Sequence, residues 1–132
     1  MIERFEEFQG GPSRQDRGKP RVTLSNRSVL LLNKVAFEAL DSPAAVKLSY
    51  DEGRRVIGVK RGDPRHTNSF PVKQQDRWNN RRINMPSFCR HWGIDIGRTV
   101  LFHEVDVGSD GMMRLELNRT ITIGKDRQKR GQ

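Results

Sequence analysis

The sequence predicts a mainly β domain with short helices, assembled from two β-α-β-β units that follow one another along the chain. Two observations predict it. Apolar residues alternate along short runs, as they do in half-buried strands, and the order strand, helical turn, strand, turn, strand occurs twice, at residues 29–61 and 81–117. Sliding the two stretches so that Leu40 faces Trp92 also sets Asn33 against Met85 and Ala36 against Phe88. Identity between them is low, so order and spacing carry the duplication. Two such units make one domain when each buries the other's apolar face.

Along the chain, residues 1–9 place Ile2, Phe5 and Phe8 at spacing three, the pattern of a short amphipathic helix that docks on the body or on a partner. Residues 10–20, GGPSRQDRGKP, have linker chemistry, so 1–20 is expected to be a flexible N-terminal segment. The first unit, 21–61, starts with a hairpin through Val22, Leu24, Leu30 and Leu32; Asn26 is the residue of its turn most tolerant of positive φ. A helical turn with Ala36, Phe37 and Leu40 ends at Asp41-Ser42-Pro43. Strands through Val46, Leu48 and Tyr50 and through Val56, Ile57 and Val59 then flank the turn Asp51-Glu52-Gly53.

Residues 62–69 form a linker whose turn begins at Asp63-Pro64. The second unit, 70–117, opens with an extended run from Phe70 to Lys73 and a polar stretch, 74–80, interrupted by Trp78. Another short extended segment leads to Pro86, which suits a first helical position because its missing N–H would be unpaired there anyway; Gly93 suits the residue just past the helix end. Phe88 and Trp92, four apart, share the helix face that meets the following sheet. Val100, Phe102 and Val105, then Met113, Leu115 and Leu117, are the inward residues of a hairpin. In the basic tail, 118–132, Ile121 and Ile123 add a short edge strand before Lys125, Arg127, Lys129 and Arg130.

A chain of 132 residues with 33% hydrophobic residues has room for one modest core. Twenty-five Lys and Arg against 16 Asp and Glu leave a formal charge of +9, which favours a polyanionic partner, because each neutralised phosphate releases a condensed counterion. A single cysteine excludes an internal disulfide framework and fits a reducing cytosol. No apolar run reaches the roughly 18 residues that span a bilayer, and the acidic start of the chain lacks the apolar core of a signal peptide, so a cytoplasmic protein with no membrane contact is expected.

Enzymatic constellations are weak. Cys89 and His91, near His103, lack the paired spacing and second cysteine of a structural metal site, so neither a metal nor a cofactor is expected. Carboxylates such as Asp51, Glu52, Asp106 and Asp110 fall on turns, where backbone chemistry alone favours them. Neither a phosphate-binding glycine loop nor a serine elbow is present, and no catalytic residue is assigned. Arg77, Arg81, Arg82 and Arg90 instead gather around one loop and the helix it leads to, as guanidiniums that reach phosphates would. Trp78, among them, is expected first to fold back as a lid on the core, with stacking on a base or partner the alternative.

Residues 81–117 resemble the swapped-hairpin domains of AbrB/MazE-type transcription regulators and antitoxins. Trp92-Gly93-Ile94 takes the place of their Leu-Gly-Ile, Ile96-Gly97-Arg98 that of their turn, and Val100 to Phe102 begins the hairpin. Residues 29–61 match more loosely, lacking the glycine that ends the helix. The resemblance implies a small β-barrel in which two units exchange hairpins, here as an intramolecular pseudo-dimer, so that a monomer or a homodimer is expected. It also implies duplex DNA as the partner, held by basic residues of the first hairpin and the short helix. Position by position, Arg81, Arg90 and Lys73 take those places, and Arg27 matches loosely in the first unit, where Phe37 and Glu38 stand at the expected cations.

The expected function is therefore a small DNA-binding, transcription-regulator-like module whose interface comprises Arg27, Lys73, Arg77, Trp78, Arg81, Arg82 and Arg90. An adaptor or structural subunit of a nucleoprotein or phage-related assembly, docking through its termini, is the second expectation. RNA is a third, since an arginine-rich face with a tryptophan also serves single strands.

Overall fold

A computed structural model describes residues 18–123. The helix expected at 1–9, most of the linker after it and Lys125, Arg127, Lys129 and Arg130 of the tail lie outside the described residues. The elements are β1 (Val22–Leu24), β2 (Val29–Leu32), α1 (Lys34–Ala39), β3 (Ala45–Asp51), β4 (Val56–Gly62), β5 (Phe70–Pro71), β6 (Lys73–Gln74), β7 (Arg81–Asn84), α2 (Pro86–Trp92), β8 (Val100–Phe102), β9 (Met112–Glu116) and β10 (Thr120–Thr122). The fold is mainly β with two short helices.

Local chemistry fixes both helices. Asn33 caps α1: its side-chain oxygen accepts from the Ala36 N–H at 2.9 Å, filling one of the vacant donors of the first turn. Pro86 occupies the first turn of α2, and Gly93, at φ 68°, ends it. There the Gly93 and Ile94 N–H groups return to the Arg90 and Cys89 carbonyls at 3.4 and 2.8 Å, the double closure that a left-handed glycine permits. With no glycine at the matching place, α1 ends through Asp41 and Ser42 in left-handed conformations, φ 70° and 48°. In the β1–β2 turn the left-handed residue is Ser28, at φ 64°, rather than Asn26. The Asn26 side chain is drawn away to the Gly97 carbonyl, and the Ser28 carbonyl accepts from Met85.

All the strand pairing is antiparallel, in a six-stranded sheet ordered β10-β8-β1-β2-β7-β6 and a four-stranded sheet ordered β5-β3-β4-β9. The described strands do not close into the expected barrel, because pairing lapses where the chain passes between sheets. One lapse is Val72, between β5 and β6, whose N–H goes to the Ala44 carbonyl; the other is the turn between β9 and β10. The second hairpin is also less regular than expected. Val107 bridges Met113 near its tip and Phe102 pairs with Thr120 at its base, so the returning arm carries extra residues and splits into β9 and β10.

Both units contribute to one core. Leu30 of β2 lies opposite Ile83 of β7, and Ile57 and Val59 of β4 lie opposite Leu115 and Met113 of β9; all six are buried. The inward residues expected from alternation, Val100, Phe102, Val105, Met113, Leu115 and Leu117, are buried too. Phe88 and Trp92 turn from α2 onto Tyr50 of β3, with ring centroids 6.3 and 5.4 Å away, as their spacing on the helix predicts. Burying each large aliphatic side chain contributes about 1.5–3 kcal/mol, so this shared interior is what holds two short-stranded units together.

Candidate nucleic-acid interface

The turn joining β6 to β7 is built on one carboxylate. Asp76 accepts hydrogen bonds from the backbone N–H groups of Trp78 and Asn80 at 2.9 and 3.3 Å and from the Asn80 side-chain amide at 2.9 Å. Those contacts, the Asn80 amide foremost, hold the Asp76 carboxyl below the usual carboxylate range. Gln75 N–H donates to the Asn80 carbonyl at 2.8 Å, the Gln74 amide donates to the Asp76 carbonyl at 2.9 Å, and Asn79 takes φ 69°. The result is a closed, internally bonded loop with its apolar residue turned outward. Trp78 is 66% exposed and is therefore no lid on the core.

Four of the expected interface cations surround that loop. Lys73 and Arg82 lie directly opposite one another on β6 and β7, so both project from the same face of the six-stranded sheet. The Arg82 guanidinium donates to the Gln75 side-chain oxygen at 3.3 Å, and its Nε is buried without an acceptor. Arg81, its neighbour in the strand, points to the other face, and its guanidinium lies 4.3 Å from the centre of the Phe37 ring on α1. Arg77 lies 4.9 Å from the centre of the Trp78 ring.

Among the described residues none of these four forms an ion pair, whereas Arg61, Arg65, Arg114 and Arg119 are each paired with a carboxylate. The Arg114 pair is tight enough to hold Asp110 down to about 2. Its bonds are charge-assisted, with the Arg114 guanidinium the first cause and the Met112 N–H the second.

Arg27 and Arg90 belong to a different place. The β2–β7 ladder has four pairs, running from Leu32 and Arg81 at one end to Val29 and Asn84 at the other, about 10 Å at about 3.3 Å per residue. The loop of residues 75–80 lies at the first end, beside α1. At the second end Arg27 sits in the β1–β2 turn next to the start of α2, where Met85 N–H donates to the Ser28 carbonyl and Ser28 also bonds the Cys89 thiol. Arg90, exposed in the last turn of α2, goes with that end. The helix that follows the loop in sequence is thus not the helix beside it in space, and the expected cations divide into two patches. Cys89 itself is buried, and burial pushes its thiol pKa up, which suits a packing residue.

A cavity of about 260 Å³ opens beside the loop, lined among others by Arg21, Thr23, Leu31, Asn33, Gln75 and Asp76. Sequence reading passed over Gln75 and Asp76, although an Asp ahead of Trp-Asn-Asn is a recognisable signal for a side-chain-closed turn. A larger depression of about 680 Å³ lies over Gly58 on the four-stranded sheet, but the Asp51, Arg54, Arg114 and Glu116 around it carry mixed charge, each paired with an opposite neighbour, which does not suit a polyanion. No group of His, Cys, Asp or Glu among the described residues is arranged to hold a metal ion, and no described helix is long and apolar enough to cross a membrane. In comparisons with known proteins, the chain matches no family model, no curated protein and no solved structure.

Proposed function

We propose that this chain is a small transcription-regulator-like module of the AbrB/MazE swapped-hairpin kind that binds duplex DNA in a cytoplasmic setting. Lys73, Arg77 and Arg82 around the loop of residues 75–80 supply the main backbone contacts, with Arg27 and Arg90 as a second patch and Arg81 apart on the opposite face of the sheet. The observation that carries this reading is the contrast in pairing. Arg54, Arg61, Arg65, Arg114 and Arg119 are spent on carboxylates, while Lys73, Arg77 and Arg82 form no ion pair among the described residues and face a partner's phosphates.

Strand exchange supports the swapped-hairpin part of the reading. β1 of the first unit pairs with β8 of the second, and β5 of the second pairs with β3 of the first. One chain then supplies both halves, as a monomer or within a homodimer. Because the two patches differ in composition, the recognised site is not palindromic.

Three phosphate contacts predict a slope of about −2.7 for log affinity against log salt, a loss of about 40-fold between 50 and 200 mM. In the variant Lys73→Ala/Arg82→Ala the slope falls to about −0.9, and the same change in salt costs only about 3.5-fold. Fluorescence anisotropy on labelled duplex measures both, and an unchanged slope in the variant counts against the interface. An adaptor reading is favoured by Ile121, half-exposed on β10 at the edge of the six-stranded sheet. Purified protein that binds no duplex even at low salt would leave that reading in its place.

A further inference from the structure

The loop of residues 75–80 carries more than charge. Trp78 is 66% exposed, does not belong to the apolar core cluster and is held on a turn whose backbone is bonded to Asp76 from two sides. An indole costs free energy when left in water, and a flexible tip would let it collapse onto the protein. Here the Asp76 hydrogen bonds and the left-handed Asn79 prevent that collapse. The Arg77 guanidinium lies over the ring, 4.9 Å from its centre, and two-thirds exposure with that contact in place leaves the opposite face open. Lys73 and Arg82, cross-strand partners at the base of the loop, project from one face of the sheet and place two cations beside the turn that carries the indole.

We infer that the open face of Trp78 is a stacking site for an unpaired nucleobase, and that the preferred substrate is DNA in which a duplex is interrupted by a bulged or extruded base. The inference rests on the duplex-DNA reading above and names the substrate class for the same site. A flat, rigid aromatic face accepts any of the bases, since each has a π-face, but only a base out of the stack can present that face to it. The base would form the third layer over Trp78 and Arg77. The phosphates next to an extruded base would meet Lys73 and Arg82 at the base of the loop, which is why a nucleic acid fits this surface better than an apolar protein patch.

The full-length Trp92→Phe variant leaves Trp78 as the single tryptophan and so as a direct reporter, because the sequence holds two. It is titrated with a fully paired duplex and with the same duplex carrying one bulged base, following quenching and anisotropy together. The expected result is stronger quenching by the bulged duplex and an affinity about 5- to 150-fold higher than for the paired one, the worth of one stacked base. In wild-type background, Trp78→Ala brings the affinity for the bulged duplex to that for the paired one, and Trp78→Phe keeps most of the preference. Equal affinity for the two duplexes, or a preference that survives Trp78→Ala, overturns the inference and leaves the duplex reading standing. Binding to neither at low salt overturns both.

Discussion

Ile83→Ala tests whether the two units share one interior. Ile83 is fully buried at the centre of β7, directly across from Leu30 of β2, so it is the second unit's side chain at the seam between the halves. Truncation removes three methylene equivalents, about 2.4 kcal/mol at about 0.8 kcal/mol each. The cavity left behind adds on the order of 1 kcal/mol, because β2 and β7 are locked in register and cannot collapse fully into the space. A total of about 3.5 kcal/mol corresponds to a fall in melting temperature of roughly 15–25 °C for a domain of this size. Denaturant unfolding followed by tryptophan fluorescence and far-UV circular dichroism should give one coincident transition, shifted to lower denaturant. Native-state hydrogen exchange adds the decisive reading. Protection at Leu30, Val46 and Ile57, all in the first unit, should fall by about 300-fold along with that of the second. Unchanged protection in the first unit, or two separate transitions, would refute a common core.

Asn33→Ala should cost about 1–2 kcal/mol, the upper part of the range for an N-cap, because the side chain accepts from both Ala36 and Arg21 N–H groups and donates to the Lys19 carbonyl; thermal melts that coincide with wild type would count against that triple role. Asp110, held down to about 2 from 3.8 by Arg114 and the Met112 N–H, should titrate in carboxyl-carbon NMR with a midpoint near the lower value. Since its folded-state pKa is depressed, its contribution to the second hairpin is complete above about 3.8 and is lost as pH falls through about 2. Arg114→Met should move the midpoint back toward 3.8, and a midpoint indifferent to that change would dismiss the pair as its cause.

The sequence by itself determined what local rules control. Pro86 and Gly93 bound α2, Asn33 heads α1, the alternation of Val100, Phe102, Met113 and Leu115 names the buried face, and the tight turn after Asp51 joins β3 to β4. Each depends on a residue's own torsions or on period-two patterning, and these act within a few residues. The expectation that Arg81 and Arg82 serve one face fails by the same rule, because neighbours in a strand face opposite ways.

Tertiary structure alone decided the rest. Which strands of one unit pair with the other, that the loop at 75–80 rests by α1 while Arg90 goes with Arg27, and that Ser28 rather than Asn26 turns left-handed all follow from contacts between residues far apart in sequence. Trp78 shows the physical reason most directly. Its composition suits a lid and a platform equally, and the choice was made by whether a core surface lay within reach or a carboxylate two residues earlier held the backbone away from one.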